Sequence, residues 1–474
     1  MTMAADKQDK VLNFSSEREQ SRACSSSAER EKNQGKNFLN VPNKRVQSQA
    51  CLSSAERAGL RPKGNVPTLR FPEFTGEWEL HPTTDFFEFK NGLNPDSKRF
   101  GSGTKFISVM DILNNRYITY DIIKAFVEPK GKDLNEFGVN YGDVLFQRSS
   151  ETLEDVGRAN VYLDKKTALF GGFVIRGKKI GEYNPLFFRY LLSSPHVRKR
   201  IVVKGAGAQH FNIGQDGLSK VSIFVPTAKE QERIAQLLDL IDERIEAQNR
   251  IIEDLKGERK YLLEQLFCFP NERVPKLRLK GMTGEWQKVK LCYIANRVTE
   301  KNKANTCNRV LTIAAQYGLI DQQEFFNKQI ASSDLTTYYL LHKGDFAYNK
   351  SYSGDYSWGA VKRLDKYDKG VLSSLYICFR PNENVDSDFL CHYFESTKWY
   401  RGISEISGEG ARNHGLLNMS VDDYFNILHR IPTLREQKAV ANALNVLVDK
   451  IDIETEILND LQKQKSYLLK EMFI

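Results

Sequence analysis

At 474 residues the chain exceeds what one hydrophobic core usually organises, and it suits two or three domains. Its 41% hydrophobic and 27% charged residues are those of an ordinary folded protein, which excludes wholesale disorder and a membrane-embedded chain. A net charge of +9 with a pI near 8.9 admits a polyanionic partner but does not demand one.

Residues 1–64 hold twelve Lys/Arg against seven Asp/Glu and are rich in Ser and Gln, so over half of the excess charge sits in a segment expected to be a disordered tail. That tail opens Met-Thr-Met-Ala-Ala-Asp-Lys-Gln and lacks the apolar stretch of a secretory signal, so a cytoplasmic protein is expected. The longest apolar run, Leu169 to Ile175, is broken by two glycines and is too short to span a bilayer.

From residue 65 onward the chain follows one plan twice. VPTLRFPEFTGEW at Val66 recurs as VPKLRLKGMTGEW at Val274, and VPTAKEQERIAQLL at Val225 recurs as IPTLREQKAVANAL at Ile431. The first pair shares 8 of 13 positions and the second 6 of 14. Fainter echoes lie between: YGDVLFQRSS at Tyr141 answers KGDFAYNKSY at Lys343, and GAGAQHFN at Gly205 answers GEGARNHG at Gly408. Each repeat therefore joins a divergent head to a well-kept tail. The heads, 65–227 and 269–433, read as mixed α/β with short strands at Lys105 to Val109, Val144 to Gln147, Ala168 to Ile175 and Val221 to Val225.

The tails, 228–268 and 434–474, read as long helices. Leu238, Ile245, Ile252, Arg259 and Leu266 repeat every seven residues, beside a row of Ile234, Ile241, Gln248, Leu255 and Leu262. The second tail repeats this seam with Leu444, Ile451, Leu458, Lys465 and Met472, beside Val440, Leu447, Glu454, Leu461 and Leu468. A continuous apolar stripe of about 57 Å requires a cover. Pairing of the two helices antiparallel about a pseudo-twofold axis, with one head at each end, supplies it; packing of each helix on its own head is the competing arrangement. The expected fold class is therefore α+β: two mixed α/β heads separated by two long helices that form an antiparallel coiled coil.

Head, then Pro-x-x-x-x-Gln with Glu before the Gln, then a long helix, all duplicated, resembles the DNA specificity subunits of type I restriction-modification systems. The markers are Pro226 with Glu230-Gln231, Pro432 with Glu436-Gln437, the Gly142-Asp143 and Gly344-Asp345 turns, and the endings YLLEQLF and YLLKEMF. The resemblance covers residues 66–474. It implies that each head is a target recognition domain for one half of a split DNA sequence and that the helices act as a ruler for the unread spacer. It also implies that the chain is not itself an enzyme and acts with two methyltransferase subunits and two translocating restriction subunits. S-adenosylmethionine, ATP and magnesium are then expected in those partners.

Candidate DNA contacts fall in the duplicated polar segments. After the first Gly-Asp turn come Arg148 and Ser149, and after the second come Lys350, Ser351 and Tyr352; a strand end carrying such donors suits phosphate or base edges, or simply solvent. The glycine-rich segments add Gln209, His210 and Asn212 in one head and Arg412, Asn413 and His414 in the other, where an ordinary turn is the alternative. Lys90, Arg116, Lys204 and Trp358 are weaker candidates. The expected helix–helix interface comprises Leu238, Ile241, Ile245, Ile252, Leu255 and Leu262 with Leu444, Leu447, Ile451, Leu458, Leu461 and Leu468.

Two other classes compete. Asn184-Pro-Leu-Phe approximates the loop with which adenine methyltransferases hold a flipped base, but the second copy has Ser387-Asp-Phe-Leu there, so a helix cap by Asn184 and Pro185 is the expected reading. Gly172 to Lys179 has phosphate-loop spacing without the Ser/Thr that binds magnesium, and its interior reads as a strand. A coiled-coil scaffold without a DNA role is the remaining alternative. Seven cysteines without a Cys-x-x-Cys pair, and seven histidines without metal-ligand spacing, point to reduced thiols and no metal site.

Overall fold

The computed structural model of the protein describes residues 64–207, 210–314, 317–326, 334–351, 356–407 and 417–474. The expected tail therefore lies outside the described residues. These form two compact units, one built from 64–250 with 455–474 and the other from 251–454. The boundaries fall inside the long helices, Ala228–Leu266 and Leu434–Glu471, so each unit contains one head, the start of one helix and the end of the other.

The two heads share a frame. In the first, an antiparallel sheet orders Phe87–Asn91, Val174–Lys179, Val144–Gln147 and Ala159–Val161; in the second, Ala295–Arg297, Ile377–Pro381, Phe346–Asn349 and Ala360–Arg363 take the same places. A helix follows in each, Pro185–Ser193 and Ser387–Glu395. Asn184 caps the first, its side-chain oxygen accepting from the Phe187 N–H at 3.0 Å, and Asp386 caps the second in the same way at 2.9 Å. The Asn184-Pro185 pair is thus a helix start. A two-stranded ladder then leads into the long helix: Glu79–Pro82 with Ser222–Val225, and Gln287–Lys290 with Leu428–Ile431.

Outside this frame the heads differ. The first inserts a three-stranded sheet of Phe126–Val127, Phe100–Ile107 and Leu169–Phe170, while the second inserts two hairpin-like pairs, Leu311–Ala314 with Gly318–Asp321 and Tyr339–His342 with Lys369–Leu372. Two strand boundaries depart from the sequence reading. Strand Phe100–Ile107 ends early because Ser108 and Asp111 form a capping box that starts helix Val109–Leu113. The expected strand from Ala168 to Ile175 is two strands in different sheets, divided at Gly171-Gly172. A Cβ on Gly172 would lie 1.9 Å from Oδ1 of Asn94, so any side chain there would have to displace that of Asn94.

Glu230 and Glu436 fasten head to helix in both copies. Glu230 accepts from Nε and Nη2 of Arg70, both at 2.7 Å, and from Nε1 of Trp78 at 3.3 Å. Glu436 accepts from Arg278 twice at 2.8 Å and from Trp286 at 3.1 Å. The neighbouring glutamines are equally matched: Gln231 donates to the Pro226 carbonyl and accepts from the Asn184 N–H, and Gln437 does the same with Pro432 and Asp386.

The helix seam is covered within each unit. Ile234, Leu238 and Ile241 share a core with Leu468, Met472 and Phe473, and Leu255, Leu262 and Leu266 share one with Val440, Leu444 and Leu447. The start of each helix thus meets the end of the other, the antiparallel arrangement. Ile252 and Leu461 are buried as well, while Ile245, Ile451 and Leu458 are half-buried. Lys465, a polar break in the seam, meets Asp242 at 2.5 Å, and Asp242 also accepts from Arg189 and Tyr190. The competing arrangement is present too, since each helix start also packs on its own head.

One buried group distinguishes the heads. His429 lies where the first head has Ile223, on the strand that leads to the second helix, and its Nδ1 faces the Tyr393 hydroxyl at 2.9 Å. Burial pushes its imidazole down to about 4. An unfolded histidine takes up a proton first as the pH falls, so this group withdraws stability between about pH 6.5 and 4. The double variant His429→Ile, Tyr393→Phe is expected to flatten the loss of thermal stability of the second head between pH 7 and 5. An unchanged slope in a melting series would reject the assignment.

Candidate nucleic-acid interface

In each head the Gly-Asp turn sets the direction of the strand that follows. Gly142 and Gly344 both sit at φ +92°, a left-handed conformation that favours glycine. Asp143 is buried and accepts from the N–H groups of Asn140 at 3.0 Å and Lys179 at 2.9 Å. Burial raises its carboxyl above the ordinary range, against the pull of those N–H groups and of Arg176. Asp345 accepts from the His342 N–H at 2.8 Å and from Arg380 at 2.6 and 2.8 Å. The turns are structural, and they carry the strands Val144–Gln147 and Phe346–Asn349 across the sheets to the polar segments beyond.

In the first head that segment meets the glycine-rich loop. In the first head Ser149–Ser150 pairs antiparallel with Phe211–Asn212. The Ser149 hydroxyl donates to Oδ1 of Asn212, and Asn212 Nδ2 donates to the His210 carbonyl at 3.2 Å. Ala206 and Asn212 exchange backbone hydrogen bonds at 2.9 and 2.8 Å, closing the loop. The Arg148 carbonyl accepts from the Ile213 N–H at 3.0 Å, and the Lys350 carbonyl accepts from the Leu417 N–H at the same distance. In the first head two segments chosen separately in the sequence are therefore neighbours; the glycine-rich segment of the second head, from Gly408, lies outside the described residues.

The other candidates divide. His210 and Lys204 are exposed beside the loop, and Ser351 donates its N–H to the Asn349 side chain at 3.0 Å. Lys90 is held 3.3 Å from Glu136 and over the Phe137 ring, a local tie. Arg116 is a head-to-helix clamp, with Nε 2.9 Å from Asp239 and further contacts to Glu243 and Glu246, so its candidacy for DNA is withdrawn. Trp358 packs against the core of the second head. Gln209, Tyr352, Arg412, Asn413 and His414 lie outside the described residues.

Sequence reasoning missed two features of this surface. Phe173, read as strand interior, is 71% exposed, and its carbonyl accepts from the Arg148 N–H at 2.9 Å. The glycine pair before it was the available signal. Arg198 donates to the carbonyls of Glu154, Val156 and Gly157 at 2.7 to 2.8 Å and so fixes the loop after Ser149–Ser150. Nothing in its sequence context separates it from the neighbouring basic residues of its helix.

Among the described residues no cluster of His, Cys, Asp and Glu could hold a metal, and no helix is long and apolar enough to cross a membrane. Residues 75–257 match the family described as type I restriction modification DNA specificity domain. The chain is 23% identical over 423 residues to the type I restriction enzyme MjaVIII specificity subunit of Methanocaldococcus jannaschii, covering 85% of this chain and 92% of that one. It is 27% identical over 156 residues to the type I restriction enzyme EcoKI specificity subunit of Escherichia coli K12, covering 32% and 33%. A solved type I restriction-modification S subunit from M. genitalium superposes with a TM-score of 0.48 at 15% identity, covering 86% of this chain and 99% of that one. The family expected from the duplicated markers is borne out: a type I restriction-modification DNA specificity domain runs from the first head into the first long helix.

Asn212→Ala is expected to cost about 1–3 kcal/mol of discrimination at one half-site if the residue reads a base, with the other half-site unaffected. Competition binding against duplexes scrambled in one half at a time reads this directly, and equal losses at both halves would remove the loop from the reading surface.

Proposed function

We propose that the chain is the DNA specificity subunit of a type I restriction-modification complex, reading a bipartite target while partner subunits methylate and cleave. The observation that carries the reading is the combination of one repeated frame with two unlike insertions. Identical clasps at Glu230 and Glu436 hold equivalent sheets, while the strands built around those sheets differ between heads. Such a construction reads two different half-sites, hence an asymmetric target. The long helices set the spacer, because helical rise converts residue number into distance at about 1.5 Å per residue.

The partners in this reading are two methyltransferase subunits, two restriction subunits that translocate and cut, and double-stranded DNA, all in the cytoplasm. S-adenosylmethionine, ATP and magnesium belong to those partners. Duplicated exposed residues on the helices support a pair of like subunits. One unit exposes Leu240, Ile457 and Tyr467, and the other exposes Val446, Ile251 and Tyr261 at the corresponding repeat positions. Exposed apolar side chains that recur in matched sets suit one partner surface used twice.

Mapping of methylated sites in host DNA with and without this gene tests the reading. A bipartite motif that disappears with the gene is expected; an unchanged methylation pattern would contradict it. Inserting seven residues into both helices in register should lengthen the accepted spacer, and an unchanged spacer would defeat the ruler.

A further inference from the structure

The first head holds a polar cleft of about 430 Å³ lined by Arg158, Arg189 and Arg198 together with Asn160 and Ser193. The three arginines enter it from three elements: Arg158 just before strand Ala159–Val161, Arg189 on helix Pro185–Ser193 and Arg198 on helix Pro195–Val202. Arg198 is held by backbone carbonyls alone and has no carboxylate partner among the described residues. Arg189 shares Asp242 with Lys465, so one carboxylate serves two cations. Only Arg158 has a carboxylate to itself, Asp155 at 2.7 Å. Glu154, the one acidic residue of the lining, is exposed and makes no ion pair among the described residues.

The shared frame does not require these charges. At the offset of 202 residues that relates Asp143 to Asp345, the second head has Ala360 for Arg158, Cys391 for Arg189 and Tyr400 for Arg198. There Lys362 and Glu395 replace Asn160 and Ser193, and they form an ion pair with each other. In the first head, Nε of Arg198, Nε and Nη2 of Arg189, and Nε and Nη1 of Arg158 have no partner among the described residues. Gathering these cations is unfavourable: burial, with Arg158 close by, pushes the Arg198 guanidinium down to about 10. A destabilising cluster that the sister head does without is expected where a ligand of opposite charge offsets the repulsion.

A carboxylate presents two oxygens in one plane. A phosphate presents its oxygens in tetrahedral directions and carries more charge, so it suits guanidiniums that arrive from three elements. We propose that the cleft binds a phosphate group, with Arg158, Arg189 and Arg198 as its donors. The cleft has room for the phosphate together with the sugar or ester that bears it. A free phosphate ester and the backbone of a duplex present this same chemistry. The site belongs to the first head alone and stands independently of the base reading proposed above.

The full chain is titrated with pyrophosphate at constant ionic strength, as wild type, as Arg158→Gln and as Ser193→Glu. The last places in the first head the carboxylate that Glu395 supplies in the second. Both positions are exposed, and circular dichroism with a melting curve checks that each variant folds. The wild type should bind saturably and each variant about tenfold more weakly, the effect of losing one charge-assisted hydrogen bond. A second arm measures the salt dependence of binding to duplex DNA. A slope smaller by about one in Arg158→Gln, with base preference unchanged, makes the duplex backbone the source; an unchanged slope beside saturable pyrophosphate binding makes it a free phosphate ester. No pyrophosphate binding together with an unchanged slope overturns the site. So does equal pyrophosphate binding by the wild type and both folded variants, or a glutamate-rich peptide that binds as tightly as pyrophosphate. A wild type that binds no DNA overturns the proposed function and leaves the phosphate site to be decided by the first arm.

Discussion

A helix with a long, largely apolar seam cannot stand alone in water, and the arrangement of this chain follows from how that seam is covered. The start of each long helix is covered by the end of the other. The last residues of the chain therefore complete the core of the first head: Phe473 lies 6.2 Å from Trp78 and 5.6 Å from Phe187, ring centre to ring centre. Phe267 fills the matching place beside Trp286 and Phe389 in the second head, at 6.4 and 5.1 Å. The backbone agrees, with Leu69 donating to the Glu471 carbonyl and Leu277 to the Gln265 carbonyl. Segments far apart in sequence are thereby made interdependent.

The Glu-Gln pair in each repeat explains why the tail is better kept than the head. A buried carboxylate is tolerated only with its hydrogen bonds satisfied, and Glu230 and Glu436 each have a two-point arginine and a tryptophan N–H. Arg70 and Trp78 lie in the opening block of the repeat and Glu230 in the closing block, so the two recognisable blocks are the two halves of one interaction. The strands between them are free to vary provided the sheet is kept, which suits a device that must change what it reads without changing how it is held.

Much of the frame was legible because it obeys local rules. Heptad spacing gave both helices to within two or three residues, and Asn184 with Pro185 announced a helix start. In the first head the segment after the Gly-Asp turn and the glycine-rich loop did converge, at Ser149 with Asn212. What escaped depends on partners distant in sequence. Arg116 looks like any surface basic residue until Asp239, Glu243 and Glu246 are brought to it by the helix. The apolar run from Ala168 reads as one buried strand, but it divides at Gly171-Gly172 between two sheets, one of them shared with the distant strand Phe100–Ile107, and Phe173 is exposed just after the division.

The chain thus reads as a duplicated holder whose two ends are each completed by the opposite helix, with unlike insertions presented for recognition. Hydrogen exchange on a Phe473→Ala variant tests that interlock most directly. Removing a buried phenylalanine costs about 3–5 kcal/mol. Protection should fall in the first head around Trp78 and Phe187, some 290 to 400 residues away in sequence, and remain in the second head. Loss confined to the C-terminal helix, or equal loss in both heads, would contradict the account.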